Sequence, residues 1–220
     1  MTAVDARTAV IVFARAPRPG AVKTRLEPAL APEEAAALHA RLVKWTLATV
    51  RAASYRRIEL HGTPDIDDPF FRFCSGHFAA ALVEQSSGDL GARMLAAFQS
   101  ALAACPRVLL LGTDCPALTA RHLRLADRAL RDGADAAFVP CEDGGYALIG
   151  LRRVDPRLFE GVAWGSASVM AETRARLRQL GWSWRELETL WDVDRPEDYE
   201  RLVASGLLDS GERPLVTGGA

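Results

Sequence analysis

The chain of 220 residues is 49% hydrophobic and 25% charged, with a formal net charge of −1. That length accommodates one sizeable α/β domain and is marginal for two, and the composition is that of an ordinary globular protein. The balanced charge excludes a general nucleic-acid binder, and no apolar run approaches the roughly 18–20 residues of a membrane span.

Strand and helix signals alternate along the chain, which predicts a mostly parallel sheet covered on both faces. Ala9–Ala14 is an apolar run of strand length that breaks into a loop holding Pro17, Pro19 and Gly20. Pro32 with Glu33 and Glu34 marks a helix start, because proline suits a first turn and carboxylates suit its positive end. Leu38, Leu42, Trp45 and Thr49 continue at helical spacing, and Val43, Leu47 and Val50 widen that face. Arg57–His61 is predicted as a strand, Thr63–Phe73 as an irregular segment and Ala80–Glu84 as a third strand. Helix Asp89–Ala104 presents Leu90, Met94, Phe98 and Leu102 on one face. Strand Val108–Leu111 leads into Gly112-Thr113-Asp114-Cys115-Pro116, after which Thr119 N-caps a helix through Leu130. Ala136–Pro140 and Tyr146–Leu151 flank an acidic glycine turn. Helix Ser168–Leu180, strand Trp184–Leu190 and helix Pro196–Ala204 follow. Residues 1–209 are expected to form one domain and 210–220 a loosely held tail.

The N-terminal apolar run is too short for a signal peptide. Arg15 and Arg18 stand where small cleavage-site residues belong, so a cytoplasmic location is expected. Cys74, Cys105, Cys115 and Cys141 show neither CxxC pairing nor zinc spacing, and His39, His61 and His122 are scattered.

Five segments carry chemistry. The first loop holds Arg15, Arg18, Lys23 and Arg25 before the next carboxylate at Glu27. Gly20 lets its backbone approach a ligand, and clustered cations at a strand's carboxyl end suit phosphates, with Lys23 and Arg25 placed to clamp them. A solvated basic loop is the alternative. Asp114, at the tip of a strand, can bind a divalent cation that bridges to phosphate oxygens, or can organise its own turn. Asp192 and Asp194 alternate, so an extended segment points both to one side as further metal acids. Asp194 before Pro196 and Glu197 also reads as a helix cap. In Glu142-Asp143-Gly144-Gly145-Tyr146 a tight turn leaves room for a sugar or ribose, with Asp143 or Tyr146 bonding hydroxyls. Gln85, Gly88, Asp89 and Arg93 lie in a glycine-bearing loop feeding a helix whose positive end favours anions; a plain capped helix is the alternative.

Taken in order, the stretches Phe13–Leu26, Gln85–Met94, Gly112–Pro116, Asp143–Tyr146 and Asp192–Asp198 resemble the DUF2064 group of GT-A-fold, nucleotide-diphospho-sugar-transferase-like proteins. The likeness covers about residues 8–205 and extends to molybdenum-cofactor nucleotidyltransferases. It implies a three-layer α/β/α sandwich that binds a nucleotide or nucleotide-sugar with Mg2+ or Mn2+. By position, Lys23 and Arg25 would hold phosphates, Asp114 the metal, and Asp194 or Asp192 would be its second carboxylate. Arg15 stands where many relatives have Lys, and Arg195 where Thr is common. The expected activity is glycosyl transfer from a nucleotide-sugar to a small acceptor. Nucleotidyl transfer with release of pyrophosphate is the second reading, and a non-catalytic nucleotide sensor the third. The Thr63–Phe73 segment offers an acceptor pocket or a homodimer contact.

Overall fold

In the computed structural model, which describes residues 7–207, β1 (Thr8–Arg15) is buried on both faces until its last residue. Such a strand belongs in the middle of a covered sheet. The segments that follow are α1 (Pro32–Ala52), β2 (Arg57–Thr63), α2 (Pro69–Phe78), β3 (Ala81–Glu84), α3 (Leu90–Leu102) and β4 (Arg107–Leu111). After these come α4 (Ala120–Arg131), β5 (Ala136–Pro140), β6 (Tyr146–Leu151), α5 (Val169–Gln179), β7 (Trp184–Glu186) and α6 (Pro196–Ser205). The seven strands form one sheet in the order β3-β2-β1-β4-β6-β5-β7. Pairing is parallel throughout except at β6, which runs antiparallel to both β4 and β5.

Alternate residues of β1 feed two separate cores. Val10, Val12 and Ala14 pack with Val43, Leu47 and Val50 of α1, Phe71 and Cys74 of α2, and Leu123 and Leu130 of α4. Ala9, Ile11 and Phe13 pack with Met94 and Phe98 of α3 and Met170 and Leu177 of α5. The three layers expected from the sequence are therefore present. A third cluster joins Leu26, Leu38, Leu42, Val193 and Leu202 and docks α6 beside the N-terminal loop.

Two boundaries differ from the sequence reading. Within Thr63–Phe73, helix α2 begins at Pro69, where Asp68 Oδ1 accepts from the Phe70 amide at 3.0 Å. Phe71, Cys74 and Phe78 supply its buried face, a helical spacing that the prolines and aspartates before it obscure. Strand β7 is three residues long, and Leu190 rejoins the sheet as a lone bridge to Cys141. The expected tail at 210–220 lies outside the described residues.

Candidate active site

Because β1, β4, β5 and β7 run the same way, the segments 16–23, 112–116, 141–145 and 187–194 all emerge at one edge of the sheet. Lys23 stands at the turn into Thr24–Leu26 with φ 54, left-handed for a residue other than glycine. Such a backbone is uncommon and persists only where its surroundings hold it. Here fully buried Leu26 anchors the turn in the third core cluster. The strained turn aims Lys23 inward. Its side chain is only 4% exposed, and Nζ lies 2.6 Å from Asp114 Oδ1, whose side chain is 51% exposed. The same ammonium donates to the carbonyl of Val193, and the Val193 amide donates to the Asp114 carbonyl at 2.8 Å. Crowding by protein works to raise the Asp114 pKa, but the Lys23 charge and hydrogen bond outweigh it and hold the carboxyl below its usual range.

Across the same edge, donor atoms of Cys141, Asp143 and Asp192 lie within 4.8 Å of one another. The turn carrying the first two is tightly held. The Gly145 amide donates to Asp143 Oδ1 at 2.8 Å, the Cys141 amide to the Gly145 carbonyl at 3.0 Å, and the Glu142 amide to the Leu190 carbonyl at 2.9 Å. Burial, then the charges of Asp143, Asp114 and Asp198, push Asp192 up to about 6. Carboxylates forced together without an equal number of cations are the environment that a divalent ion relieves. The two carboxylates thus suit a divalent cation of the kind that the family resemblance implies.

Gly144 fixes how close the 161–168 loop can come. Its φ is +90, and a Cβ placed there would sit 2.1 Å from the Ala167 carbonyl oxygen. Gly144→Ala is expected to destabilise the fold by about 2 kcal/mol through strain and displacement of that loop. A urea midpoint equal to that of the unmodified protein would show that the loop yields freely.

The other residues singled out in the sequence go elsewhere. Asp194 is bound by Arg25 Nη1 at 2.7 Å and stands apart from the Cys141–Asp143–Asp192 group. The capping expected of Asp194 falls to Asp198, whose Oδ2 accepts from the amides of Asp194 and Arg195 at 3.1 and 2.8 Å. Arg18 faces Asp65 and Asp68 at 3.1 and 3.3 Å. Arg18 and Asp65 are half-exposed, so Arg18→Ala is expected to cost less than about 1 kcal/mol in a denaturant titration. Gly20 makes the loop's left-handed turn, and the Arg15 guanidinium has no hydrogen bond or ion pair among the described residues.

The 85–93 block caps its own helix and is fastened to β1 and β2 through Gln85. Gln85 Nε2 donates to the carbonyls of Ala14 and His61, Asp89 caps α3 through the Ala92 amide, and Arg93 Nε donates to the Gly88 carbonyl. Asp89 thus makes the helix cap, and Gln85 holds the loop at the carboxyl ends of β1 and β2. Tyr146 packs edge-on against Phe138, and burial raises its phenol pKa.

Two residues at the site carried no signal in the sequence reading. Cys141 stands two positions before Asp143, a spacing that matches no familiar metal pattern. His39, on the buried face of α1, lies with Nε2 3.0 Å from the Arg15 carbonyl, and its Nδ1 has no partner among the described residues. Burial lowers its pKa against the pull of Asp114, so the ring is neutral at pH 7 and Nε2 donates.

The profile of the family described as an uncharacterized protein conserved in bacteria, DUF2064, matches residues 46–166. The chain belongs to this family. Among solved structures, this DUF2064 protein is similar to a Desulfovibrio desulfuricans G20 protein provisionally named a nucleotide-diphospho-sugar transferase. The two share 29% identity over 95% of this chain and 91% of that one, with a TM-score of 0.84. A nucleotidyl transferase of Methanothermobacter thermautotroptrophicus has 16% identity over 94% of this chain and all of its own, with a TM-score of 0.60. Glucosyl-3-phosphoglycerate synthase of Mycobacterium tuberculosis, solved with Mn2+, UDP and its product, has 9% identity over 91% and 77% of the two chains and a TM-score of 0.51. These last two likenesses are of fold. No curated protein sequence matches the DUF2064 chain. Among the described residues, no helix is long and apolar enough to cross a membrane.

Proposed function

We propose that this DUF2064 protein is a metal-dependent transferase that moves a sugar from a nucleoside-diphosphate donor to a small acceptor. The observation that carries the reading is the buried Lys23 ammonium on Asp114, with Asp143 and Asp192 gathered across the same sheet edge. The similarity to the Desulfovibrio protein supports the same class of substrate.

In this reading Asp192 with Asp143 or Asp114 would hold the cation, which would neutralise charge on the departing diphosphate. Lys23 stays fixed by Asp114 and the Val193 carbonyl, so its charge is already in place when the leaving phosphates become more negative. Arg25 exchanges Asp194 for phosphate oxygens, and Arg15 reaches the same groups from the end of β1. His39 donates to the Arg15 carbonyl and holds the start of that loop in register.

Nucleotidyl transfer from a nucleoside triphosphate is the second reading. It is favoured by the number of cations on the first loop, which matches a triphosphate better than a diphosphate. Thermal shift with the four nucleoside triphosphates and common nucleoside-diphosphate sugars, with and without Mn2+ or Mg2+, separates the readings. A specific ligand at a hundredfold excess over its Kd stabilises the fold by about 2.7 kcal/mol. A metal-dependent response to a nucleotide-sugar, followed by acceptor-dependent release of nucleoside diphosphate, supports glycosyl transfer. A response to triphosphates alone, with pyrophosphate release, replaces it with the second reading. Binding indifferent to metal marks a sensor and overturns both.

A further inference from the structure

We propose that Cys141 is a ligand of the cation held by Asp143 and Asp192, and that this sulfur turns the site away from Mg2+ toward thiophilic divalent ions such as Co2+ or Zn2+. The inference rests on the reading of those carboxylates as a cation site and names which ion the site prefers.

Three observations support it. The Cys141 sulfur and carboxylate oxygens of Asp143 and Asp192 all lie within 4.8 Å of one another, close enough for one ion to touch all three. The thiol is fixed in place. Cys141 is only 8% exposed, its amide and carbonyl bind Gly145 and Gly144 across the turn, and its strand continues into the bridge with Leu190. Finally, β5 is otherwise an unbroken apolar strand, Ala136–Pro140, so this sulfur is the first donor the strand delivers at the edge where the acids collect.

Chemistry then sets the preference. Mg2+ is a hard ion that demands oxygen ligands in a near-ideal octahedron, whereas sulfur donors favour later and softer metals. A carboxylate pair alone would suit Mg2+; two carboxylates and a thiolate suit Co2+ or Zn2+. On binding, the S–H bond breaks, the sulfur keeps the electron pair as a metal ligand, and the proton passes to solvent. No electron is transferred.

The test is titration of the metal-free full-length chain with Co2+, followed in the near ultraviolet for the thiolate-to-cobalt charge-transfer band and in the visible for the ligand-field bands. The unmodified chain is expected to show both. Cys141→Ser is expected to lose the charge-transfer band and weaken Co2+ binding by roughly 10–100-fold, while Mg2+ binding stays within about twofold. Cys115→Ser, at a neighbouring buried thiol, is expected to keep the band. Asp192→Asn is expected to abolish both sets of bands. Ligand-field bands that depend on Asp192, without a charge-transfer band, overturn sulfur ligation and leave the cation site standing. Cobalt spectra indifferent to Asp192 overturn both. A measurement on the unmodified chain covers a Cys141→Ser variant that fails to fold. In weak buffer at pH 7, Co2+ is expected to release about one proton more per site than Mg2+, and equal release for both ions overturns the proposal.

Discussion

Lys23→Met is expected to lower turnover on the true substrate by one to two decades. Charge-assisted hydrogen bonds contribute roughly 1.5–3 kcal/mol, and each 1.36 kcal/mol is tenfold in rate. Methionine keeps the buried aliphatic stem, so the loss reports the ammonium and not a cavity. A second signature follows from Asp114. With Lys23 present its folded pKa is depressed, so it adds stability above the ordinary carboxylate range that is lost as pH falls through the folded value. Without Lys23 only the smaller pull of His39 opposes the crowding around Asp114, so its pKa rises and its contribution to stability above the carboxylate range is lost. The stability gap between the two proteins is therefore expected to widen from pH 4 to pH 7 in denaturant titrations. Full turnover together with a constant gap would remove Lys23 from the site.

Asp192→Asn is expected to do two things of opposite sign. It abolishes metal-dependent binding of the nucleotide substrate and lowers turnover at least about 100-fold, as the loss of a metal carboxylate should. It also stabilises the metal-free protein at neutral pH. Asp192 titrates near 6 in the fold and near 3.9 in an unfolded chain, so the folded state holds the extra proton between these values. Stability of the unmodified protein accordingly falls as pH rises through that window, and the full penalty stands above pH 6. Two pK units correspond to about 3 kcal/mol, which partial exposure and screening reduce to about 1 kcal/mol. In Tm that is about 2–4 °C at pH 7 for a chain of this size, vanishing near pH 4. Asp192→Asn melting below the unmodified protein at pH 7 would falsify the crowding of acids at this edge.

The layered fold was legible because the strongest signals in this chain are unambiguous ones. Ala9–Ala14 and Val108–Leu111 are apolar on both faces, and α1 and α6 open on proline followed by two acids, starts that leave little choice. Helix α2 was obscured because its buried face has only three positions, Phe71, Cys74 and Phe78, and they follow a run of turn-forming residues. At the edge, strand ends could be read but side-chain choices could not. Asp192 and Asp194 alternate on one segment, and a capping reading of Asp194 does not say which of them faces a metal; Arg25, 169 positions earlier, takes Asp194 and leaves Asp192. Cys141 was invisible for a related reason. Its partners are Asp143 on the same turn and Asp192 from a distant segment that the Cys141–Leu190 bridge and the backbone bonds around it bring alongside.

The bond from Lys23 to the Val193 carbonyl spans 170 positions of sequence. During synthesis, everything needed for the sheet's central strands leaves the ribosome long before that partner does. A nascent chain can therefore have a largely formed core while Lys23 and Asp114 still lack the segment that closes over them, and Asp192 has not yet arrived. A chain that stops just short of residue 192 keeps Lys23, Asp114, Cys141 and Asp143 but lacks Asp192, the Val193 carbonyl and the α6 side of the third core cluster, so the site is left open where that segment would close it.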